Sequence, residues 1–178
     1  VGRGVNILTR SEAPPGSGLG TSAAMGVALI GALNAATGVN DDESEIAETA
    51  VALETEELRI LSGKQDHYAS TLGGVQFMTF AGPAVTTSRL DLTPEALANL
   101  RRRVVLVYTG HSRLSSDLHE HVVGRFEARD PGLLGTLREI AGIAREARGA
   151  LLRGSYAELG RCVAANWECQ KALYPGIT

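Results

Sequence analysis

Aromatic residues, cysteines and long apolar runs are all scarce in this chain of 178 residues. Only 4% of the residues are aromatic, so there are few rings on which the bases of single-stranded nucleic acid can stack. The formal net charge of −3 argues against nucleic-acid binding through the overall field of the protein. Short, interrupted apolar runs exclude a membrane span. We therefore expect neither a nucleic-acid nor a membrane partner, and the sequence does not indicate an oligomeric state.

The two cysteines, Cys162 and Cys169, lie seven residues apart in a predicted helix. This spacing separates them by roughly 10 Å along the helix axis, which is too far for a disulfide between them. No Cys-x-x-Cys pair of the metal-binding kind occurs. The first residues also lack the charged start and apolar block of a signal peptide. Together these features predict a cytoplasmic protein.

The charge is distributed unevenly along the chain. Residues 1–100 carry 5 basic and 12 acidic residues, whereas residues 101–178 carry 12 and 8. The change falls near the arginine run at 101–103 and predicts two lobes, over residues 1–102 and 103–178, of which the second is mostly helical.

Periodicity and turn residues predict a mixture of helices and strands. One strand is predicted to end at about Leu8, and two others are predicted over residues 75–80 and 104–108. Helices are predicted from Thr21 to Asn34, from a capping box at Asp42 to about Leu61, after Thr93-Pro94, and over about 115–128, 131–153 and 155–173.

The most informative motif is a glycine-rich loop that leads into an apolar helix: Pro14-Pro15-Gly16-Ser17-Gly18-Leu19-Gly20-Thr21-Ser22-Ala23-Ala24. Glycines allow a ligand to approach the backbone, and a helix start offers free N–H groups and the positive end of the helix dipole. This combination predicts a phosphate site. The Thr21 and Ser22 hydroxyls either cap the helix or bind Mg²⁺ on a nucleotide, and a plain connector with a capping hydroxyl is the structural alternative.

Two common phosphate loops do not fit this motif. A Walker A loop requires a lysine, and none lies between Gly16 and Ala24. The dinucleotide-binding spacing requires a third glycine at position 21, which is a threonine, so an NAD-dependent oxidoreductase is disfavoured.

Four other residues are candidates for chemistry, each with a structural alternative. Asp66 is either a general base for a substrate hydroxyl or a helix cap. Lys64 and Arg113 either bind a substrate phosphate or are surface cations. Glu54 lies in an apolar stripe and requires a partner such as a metal ion, but Glu56 and Glu57 have similar neighbours.

His119 and His121 diverge by about 200° on a helix and are not expected to share a metal ion.

The glycine loop resembles the second signature motif of the GHMP superfamily, the galactokinase, homoserine kinase, mevalonate kinase and phosphomevalonate kinase group. Gly63-Lys64-Gln65-Asp66-x-Tyr68 and Tyr108-Thr109-Gly110-x-Ser112-Arg113 are similar to its sugar-kinase branch, particularly to the kinases of heptose 7-phosphate. The resemblance covers nearly the whole chain.

This resemblance implies an ATP- and Mg²⁺-dependent kinase with a two-lobed α+β fold. The N-terminal, ATP-binding lobe would have a left-handed β-α-β crossover, and the C-terminal lobe would be ferredoxin-like. ATP phosphates would lie on the loop formed by Pro15, Gly16, Ser17, Gly18, Leu19, Gly20, Thr21 and Ser22. Ser22 and Glu54 would coordinate Mg²⁺, and Asp66 would activate the acceptor hydroxyl, with Lys64 and Arg113 as substrate-binding candidates.

The first and third family motifs are absent from this sequence, so the resemblance further implies the middle of a longer kinase. The implied acceptor is the anomeric hydroxyl of a heptose 7-phosphate-like sugar, with galactose, fucose or mevalonate as alternatives. A non-catalytic module that binds nucleotides or anions is the alternative outside enzymes, because the missing motifs normally complete the substrate pocket and the phosphate site.

Overall fold

A computed structural model describes residues 4–14, 16–110 and 116–177. Pro15 and Arg113, two of the predicted binding residues, lie outside these ranges. Contacts between Cα atoms divide the chain into two units. Unit 1 comprises Val1–Gly73 and Tyr108–Leu114, and unit 2 comprises Gly74–Val107 and Ser115–Thr178. The lobe boundary after residue 102 stays a prediction.

The regular secondary structure of unit 1 is all helical over its described residues. Its elements are α1 (Thr21–Thr37), α2 (Glu43–Ala52), a π-helical segment that continues α2 (Leu53–Glu57), and α3 (Gln65–Leu72). The three α-helices all contact one another. Val27 and Ile30 of α1 pack against Ala50 of α2 to form a small buried cluster. The small side chains along α1 allow this close approach of the two helices.

The start of α2 follows the sequence prediction, but its end does not. Asp42 accepts hydrogen bonds from the N–H groups of Ser44 and Glu45, and Glu45 accepts one from the N–H of Asp42, so the predicted capping box is confirmed. The predicted end near Leu61 is wrong. The Leu58 N–H donates to the Leu53 carbonyl, which widens the last turn to the π form.

Unit 2 contains one two-stranded sheet and four helices in its described residues. Strands β1 (Gln76–Ala81) and β2 (Ala84–Arg89) are antiparallel, with Gln76 opposite Arg89. The helices are α4 (Pro94–Arg101), α5 (Ser116–Glu127), α6 (Pro131–Leu152) and α7 (Tyr156–Leu173). Helices α6 and α7 pack along each other, and the Tyr156 hydroxyl ties α7 to α4 by donating to the Ala96 carbonyl at 2.9 Å. The four predicted helices of this region are confirmed.

The strand predictions are only partly correct. The strand over 75–80 is confirmed as β1, but β2 was missed, because only the helix after Thr93-Pro94 was predicted between Pro83 and Leu100. The strands predicted at Val5–Leu8 and Val104–Tyr108 are wrong, since both segments are irregular and Val105 is 80% exposed. A strand requires a hydrogen-bonded neighbour, and within the described residues β1 and β2 pair only with each other.

Both cysteines lie in α7 and form no disulfide with each other, as predicted, and the structure shows that both are buried. Burial is the main cause that raises the pKa of the Cys169 thiol, and the neighbouring Glu139 acts in the same direction. In the described part of the chain, no helix has both the length and the apolarity needed to cross a membrane.

The contact between α1 and α2 predicts that Gly26 tolerates alanine. A Cβ atom added at Gly26 would lie 3.9 Å from the Ala50 Cβ atom, which is ordinary van der Waals contact. Because alanine loses less backbone entropy than glycine in a helix, we expect Gly26→Ala to raise the free energy of unfolding by about 0.5–1 kcal/mol. Denaturant unfolding followed by circular dichroism measures this. Gly31→Ala, where an added Cβ meets no atom within 4 Å, is the matched control, and destabilisation by Gly26→Ala alone would contradict the packing described.

Candidate active site

The glycine loop joins α1 without a capping side chain. Gly16, Gly18 and Gly20 have φ values of 68°, 73° and 66°, a left-handed region that other residues rarely adopt. Gly20 is the N-cap residue, and no side chain hydrogen-bonds to the first turn of the helix. The alternative in which Thr21 or Ser22 caps the helix is therefore wrong. The backbone N–H groups of the first turn and the positive end of the helix dipole face the loop uncapped.

Two hydroxyl groups of the loop are buried without a partner among the described residues. These are Oγ of Ser17 and Oγ1 of Thr21. A buried hydroxyl that makes no hydrogen bond costs about 1–3 kcal/mol, so such groups require an explanation. Both hydroxyls can donate to an oxygen-rich ligand lying on the loop. This observation agrees with the anion site that the sequence predicts here.

The carboxylate of Glu54 connects the start of α1 to two further segments. The Ser22 hydroxyl donates to Oε1 at 2.8 Å, and the Ser62 hydroxyl donates to Oε2 at 2.9 Å. Nε2 of His67 lies 2.9 Å from the same Oε2 atom. The Glu54 side chain is only 12% exposed, whereas Glu56 and Glu57 lie at the surface. The structure thus separates three glutamates that periodicity left equivalent.

The oxygen pair formed by Ser22 and Glu54 fits a magnesium ion. Mg²⁺ prefers oxygen ligands at about 2.0–2.1 Å in an octahedron, so two adjacent ligands lie about 3 Å apart. The Ser22 Oγ and Glu54 Oε1 atoms are separated by 2.8 Å. The described residues include no cluster of three or more His, Cys, Asp or Glu side chains placed to hold a metal ion. Mg²⁺ is usually bound through one or two carboxylates together with substrate phosphates, and this pair matches that pattern.

Asp66 lies against the glycine loop. A Cβ atom added at Gly20 would lie 3.0 Å from Cγ and 3.2 Å from Oδ2 of Asp66, so the carboxylate borders the loop backbone. Asp66 is in the first turn of α3, but the N-cap residue is Lys64, and no side chain caps this helix. The alternative in which Asp66 serves as a helix cap is therefore wrong. Its exposed carboxylate is accessible to a ligand on the loop.

Lys64 and Tyr68 share one carboxylate of α2, that of Glu48. Nζ of Lys64 lies 3.2 Å from Oε2 of Glu48, and the Tyr68 hydroxyl donates to Oε1 of the same side chain. Burial, followed by the bond to Glu48, raises the pKa of Tyr68 to about 12. The bond from Tyr68 is the main cause that lowers the pKa of Glu48, against the effect of burial and with help from Lys64. Lys64 thus links α3 to α2, and its contact with a substrate stays a prediction.

A cavity of about 420 Å³ adjoins the loop. Leu19 and Thr21 form the part of its lining nearest the loop. The rest is mostly apolar and comes from the chain segment before the loop and from one face of α1, including Ile7, Leu8, Ala24, Met25, Ala28 and Leu29.

Sequence reasoning missed two residues of this site, Ser62 and His67, together with Glu48, the partner of Lys64 and Tyr68. Each has an ordinary type and no characteristic spacing from the glycine loop. The one sequence signal for His67 is its position directly after Asp66, within the Gly63 to Tyr68 motif.

Comparison with known proteins agrees with this geometry. Residues 1–74 match the family described as GHMP kinases N terminal domain, and this range includes the loop, Glu54 and Asp66. Residues 1–74 thus carry a domain of the GHMP kinases N terminal family. The family resemblance predicted from the glycine loop and the Gly63 to Tyr68 motif is confirmed.

The curated relatives of this GHMP kinase domain include several sugar kinases. The chain is 32% identical over 169 residues to D-glycero-alpha-D-manno-heptose 7-phosphate kinase of Campylobacter jejuni, which covers 94% of this chain and 49% of that enzyme. It is 30% identical to L-fucokinase/L-fucose-1-P guanylyltransferase of Bacteroides fragilis, with 98% of this chain and 19% of that protein covered. Identity to the bifunctional fucokinase/GDP-fucose pyrophosphorylase of Arabidopsis thaliana is 27%, over 97% of this chain and 16% of that protein. The chain thus spans half or less of the length of each relative.

The contact between Gly20 and Asp66 predicts unequal effects of two alanine substitutions. Gly20→Ala introduces a side chain at positive φ and also pushes against the Asp66 carboxylate, whereas Gly18→Ala meets no atom within 4 Å. Strain at positive φ costs about 1–2 kcal/mol at either position. We expect Gly20→Ala to lower the free energy of unfolding by more than Gly18→Ala, as measured by denaturant titration. Equal losses would show that Asp66 does not border Gly20 in solution.

The Tyr68–Glu48 bond predicts a late-ionising tyrosine among the 4 in the chain. Burial, followed by the bond to Glu48, raises the folded pKa from the ordinary 10.0 to about 12, so the stabilisation linked to the protonated hydroxyl is complete below pH 10 and is lost between pH 10 and 12. Near-ultraviolet absorbance of tyrosinate measures the titration. Tyr68→Phe should remove the late component, and Glu48→Gln should shift it to lower pH. Identical curves for the wild type and Tyr68→Phe would contradict the assignment.

Proposed function

We propose that the protein to which this chain belongs is an ATP- and Mg²⁺-dependent kinase that phosphorylates a hydroxyl of a sugar or sugar phosphate. The observation that carries the proposal is the convergence of the uncapped glycine loop, the Ser22–Glu54 oxygen pair and the Asp66 carboxylate within one unit. The names of the relatives support a sugar acceptor. The preferred acceptor is the anomeric hydroxyl of a heptose 7-phosphate-like sugar.

In this proposal the loop from Pro15 to Ser22 binds the ATP phosphates. Backbone N–H groups at Gly18 to Ser22 stabilise the charge of the phosphoryl group during transfer, and the unpartnered hydroxyls of Ser17 and Thr21 donate to phosphate oxygens. The apolar cavity beside Leu19 receives the nucleoside, since its size and lining suit a base and ribose better than a charged group.

Ser22 and Glu54 hold Mg²⁺ in the same proposal. Two carboxylates, Glu54 and Asp66, border the loop, and both would repel a triphosphate without a cation between them. Bound Mg²⁺ supplies charge neutralisation and orientation of the phosphates.

Asp66 acts as the general base. The acceptor hydroxyl oxygen forms a bond to the terminal phosphorus of ATP, the bond from that phosphorus to the bridging oxygen breaks, and the hydroxyl proton passes to Asp66. Lys64 and Arg113 are the candidates for binding a phosphate on the substrate.

For the whole protein we propose the two-lobed α+β architecture of the family, with a left-handed β-α-β crossover in the lobe that includes residues 1–102. A ferredoxin-like lobe would include residues 103–178. We also propose a cytoplasmic location, where ATP and sugar phosphates are available.

Fucose is the second candidate acceptor, because two of the relatives are named as fucokinases. Galactose and mevalonate are further candidate acceptors, and only the resemblance to the wider family supports them. A non-catalytic nucleotide-binding module is the alternative outside enzymes.

The experiment that tests the proposal is a screen of ATP consumption by the full-length protein against free and phosphorylated sugars, with Mg²⁺ present. Consumption that requires one sugar, with a phosphorylated product identified by mass spectrometry, supports the kinase. Nucleotide binding by calorimetry without phosphoryl transfer to any sugar would favour the non-catalytic module instead.

Asp66→Asn isolates the proposed base. The amide cannot accept the proton from the acceptor, so we expect kcat to fall by about 100-fold or more while the affinity for nucleotide is retained. Steady-state kinetics and nucleotide calorimetry measure the two effects separately. Asp91→Asn, at an exposed position in unit 2, is the control for loss of a carboxylate. Unchanged turnover in Asp66→Asn would remove Asp66 from this role.

A further inference from the structure

We propose that His67 is a positioning residue that holds the Glu54 carboxylate in the orientation required for Mg²⁺ binding, with Ser62 as its helper. This inference rests on the proposed function, because it concerns the same metal pair. It adds a residue that neither the motifs nor the family comparison identifies. The observation that carries it is the arrangement of donors around the two carboxylate oxygens.

The donors divide the carboxylate into two halves. Oε2 is occupied by the Ser62 hydroxyl and by His67 Nε2, each at 2.9 Å. Oε1 receives only the Ser22 hydroxyl among the described residues, at 2.8 Å, and this is the hydroxyl proposed to share the metal ion. An ionised carboxylate only accepts hydrogen bonds, so Nε2 is the ring nitrogen that carries the proton. The two donors on Oε2 therefore direct Oε1 towards Ser22 and the loop.

Burial makes this orientation depend on His67. The imidazole is 2% exposed and the Glu54 side chain 12% exposed, so water cannot easily replace the lost donor. The other ring nitrogen, Nδ1, has no hydrogen-bond partner among the described residues. The contact with Glu54 is thus the one described polar interaction of the ring, and it points to the metal pair rather than to another part of the fold.

His67 also links the metal pair to the proposed base. It follows Asp66 directly in the first turn of α3, and the Asp66 carboxylate borders Gly20. The bond from His67 to Glu54 therefore connects the helix that carries the base with the segment that carries the metal ligand. Outer partners of metal ligands commonly change metal affinity or activity by about 10–100-fold when they are replaced.

The test measures Mn²⁺ binding by electron paramagnetic resonance, with the full-length protein and a non-hydrolysable ATP analogue. His67→Met fills similar space without a donor, and we expect it to weaken Mn²⁺ binding about 10–100-fold. His67→Gln retains an N–H donor at similar reach and should restore most of the affinity. Tyr68→Phe, the adjacent buried residue of α3, is the matched control: it lowers stability but should leave Mn²⁺ affinity unchanged.

The outcomes separate this inference from the proposed function. If Glu54→Gln weakens Mn²⁺ binding but His67→Met does not, the positioning role is overturned and the metal pair stands. Equal losses of Mn²⁺ affinity in His67→Met and His67→Gln would indicate a packing effect and would also overturn the positioning role of His67. If Glu54→Gln binds Mn²⁺ like the wild type, the proposed metal pair itself fails. Should His67→Met not fold, Ser62→Ala tests the same oxygen and is expected to show a smaller weakening that Ser44→Ala, an exposed serine of α2, does not show.

Discussion

A nearly buried carboxylate must be surrounded by hydrogen-bond donors, and this requirement at Glu54 organises the whole candidate site. Its three donors come from different segments: Ser22 opens α1, Ser62 follows the π-helical segment, and His67 lies in α3. Because one side chain satisfies all three, these segments converge at a single point. The glycine loop leads into α1 and Asp66 lies in α3, so the hydrogen bonds of Ser22 and His67 to Glu54 also bring the loop and Asp66 together.

Several features around this point are unfavourable for the protein alone. The Ser17 and Thr21 hydroxyls are buried without partners, and the carboxylates of Glu54 and Asp66 border the same positive helix end. A cation and an oxygen-rich anion bound together would satisfy all of them. Local conflicts of this kind are expected at functional sites, where the ligand supplies the missing partners. The helix core of Val27, Ile30 and Ala50, by contrast, contains no such conflict.

The helices could be predicted because their signals are local. The Asp42 capping box and Thr93-Pro94 mark their helix starts within four residues, and the structure follows them. The strands depend on distant partners, which is why an apolar run such as Val104–Tyr108 was misread as a strand and β2 was missed. The end of α2 also escaped prediction, because a single π-type hydrogen bond at Leu58 leaves no mark in the apolar spacing.

The sequence by itself determined the loop, since glycine spacing and the following apolar helix are properties of adjacent residues. It also singled out Asp66, but it could not decide between a cap and a base, and it could not choose Glu54 over Glu56 and Glu57. Only the tertiary structure decided these points, by bringing Asp66 against Gly20 and by burying Glu54 beside His67. The physical reason is that a side chain's partners are fixed by how helices pack, and packing joins residues that are far apart in the chain.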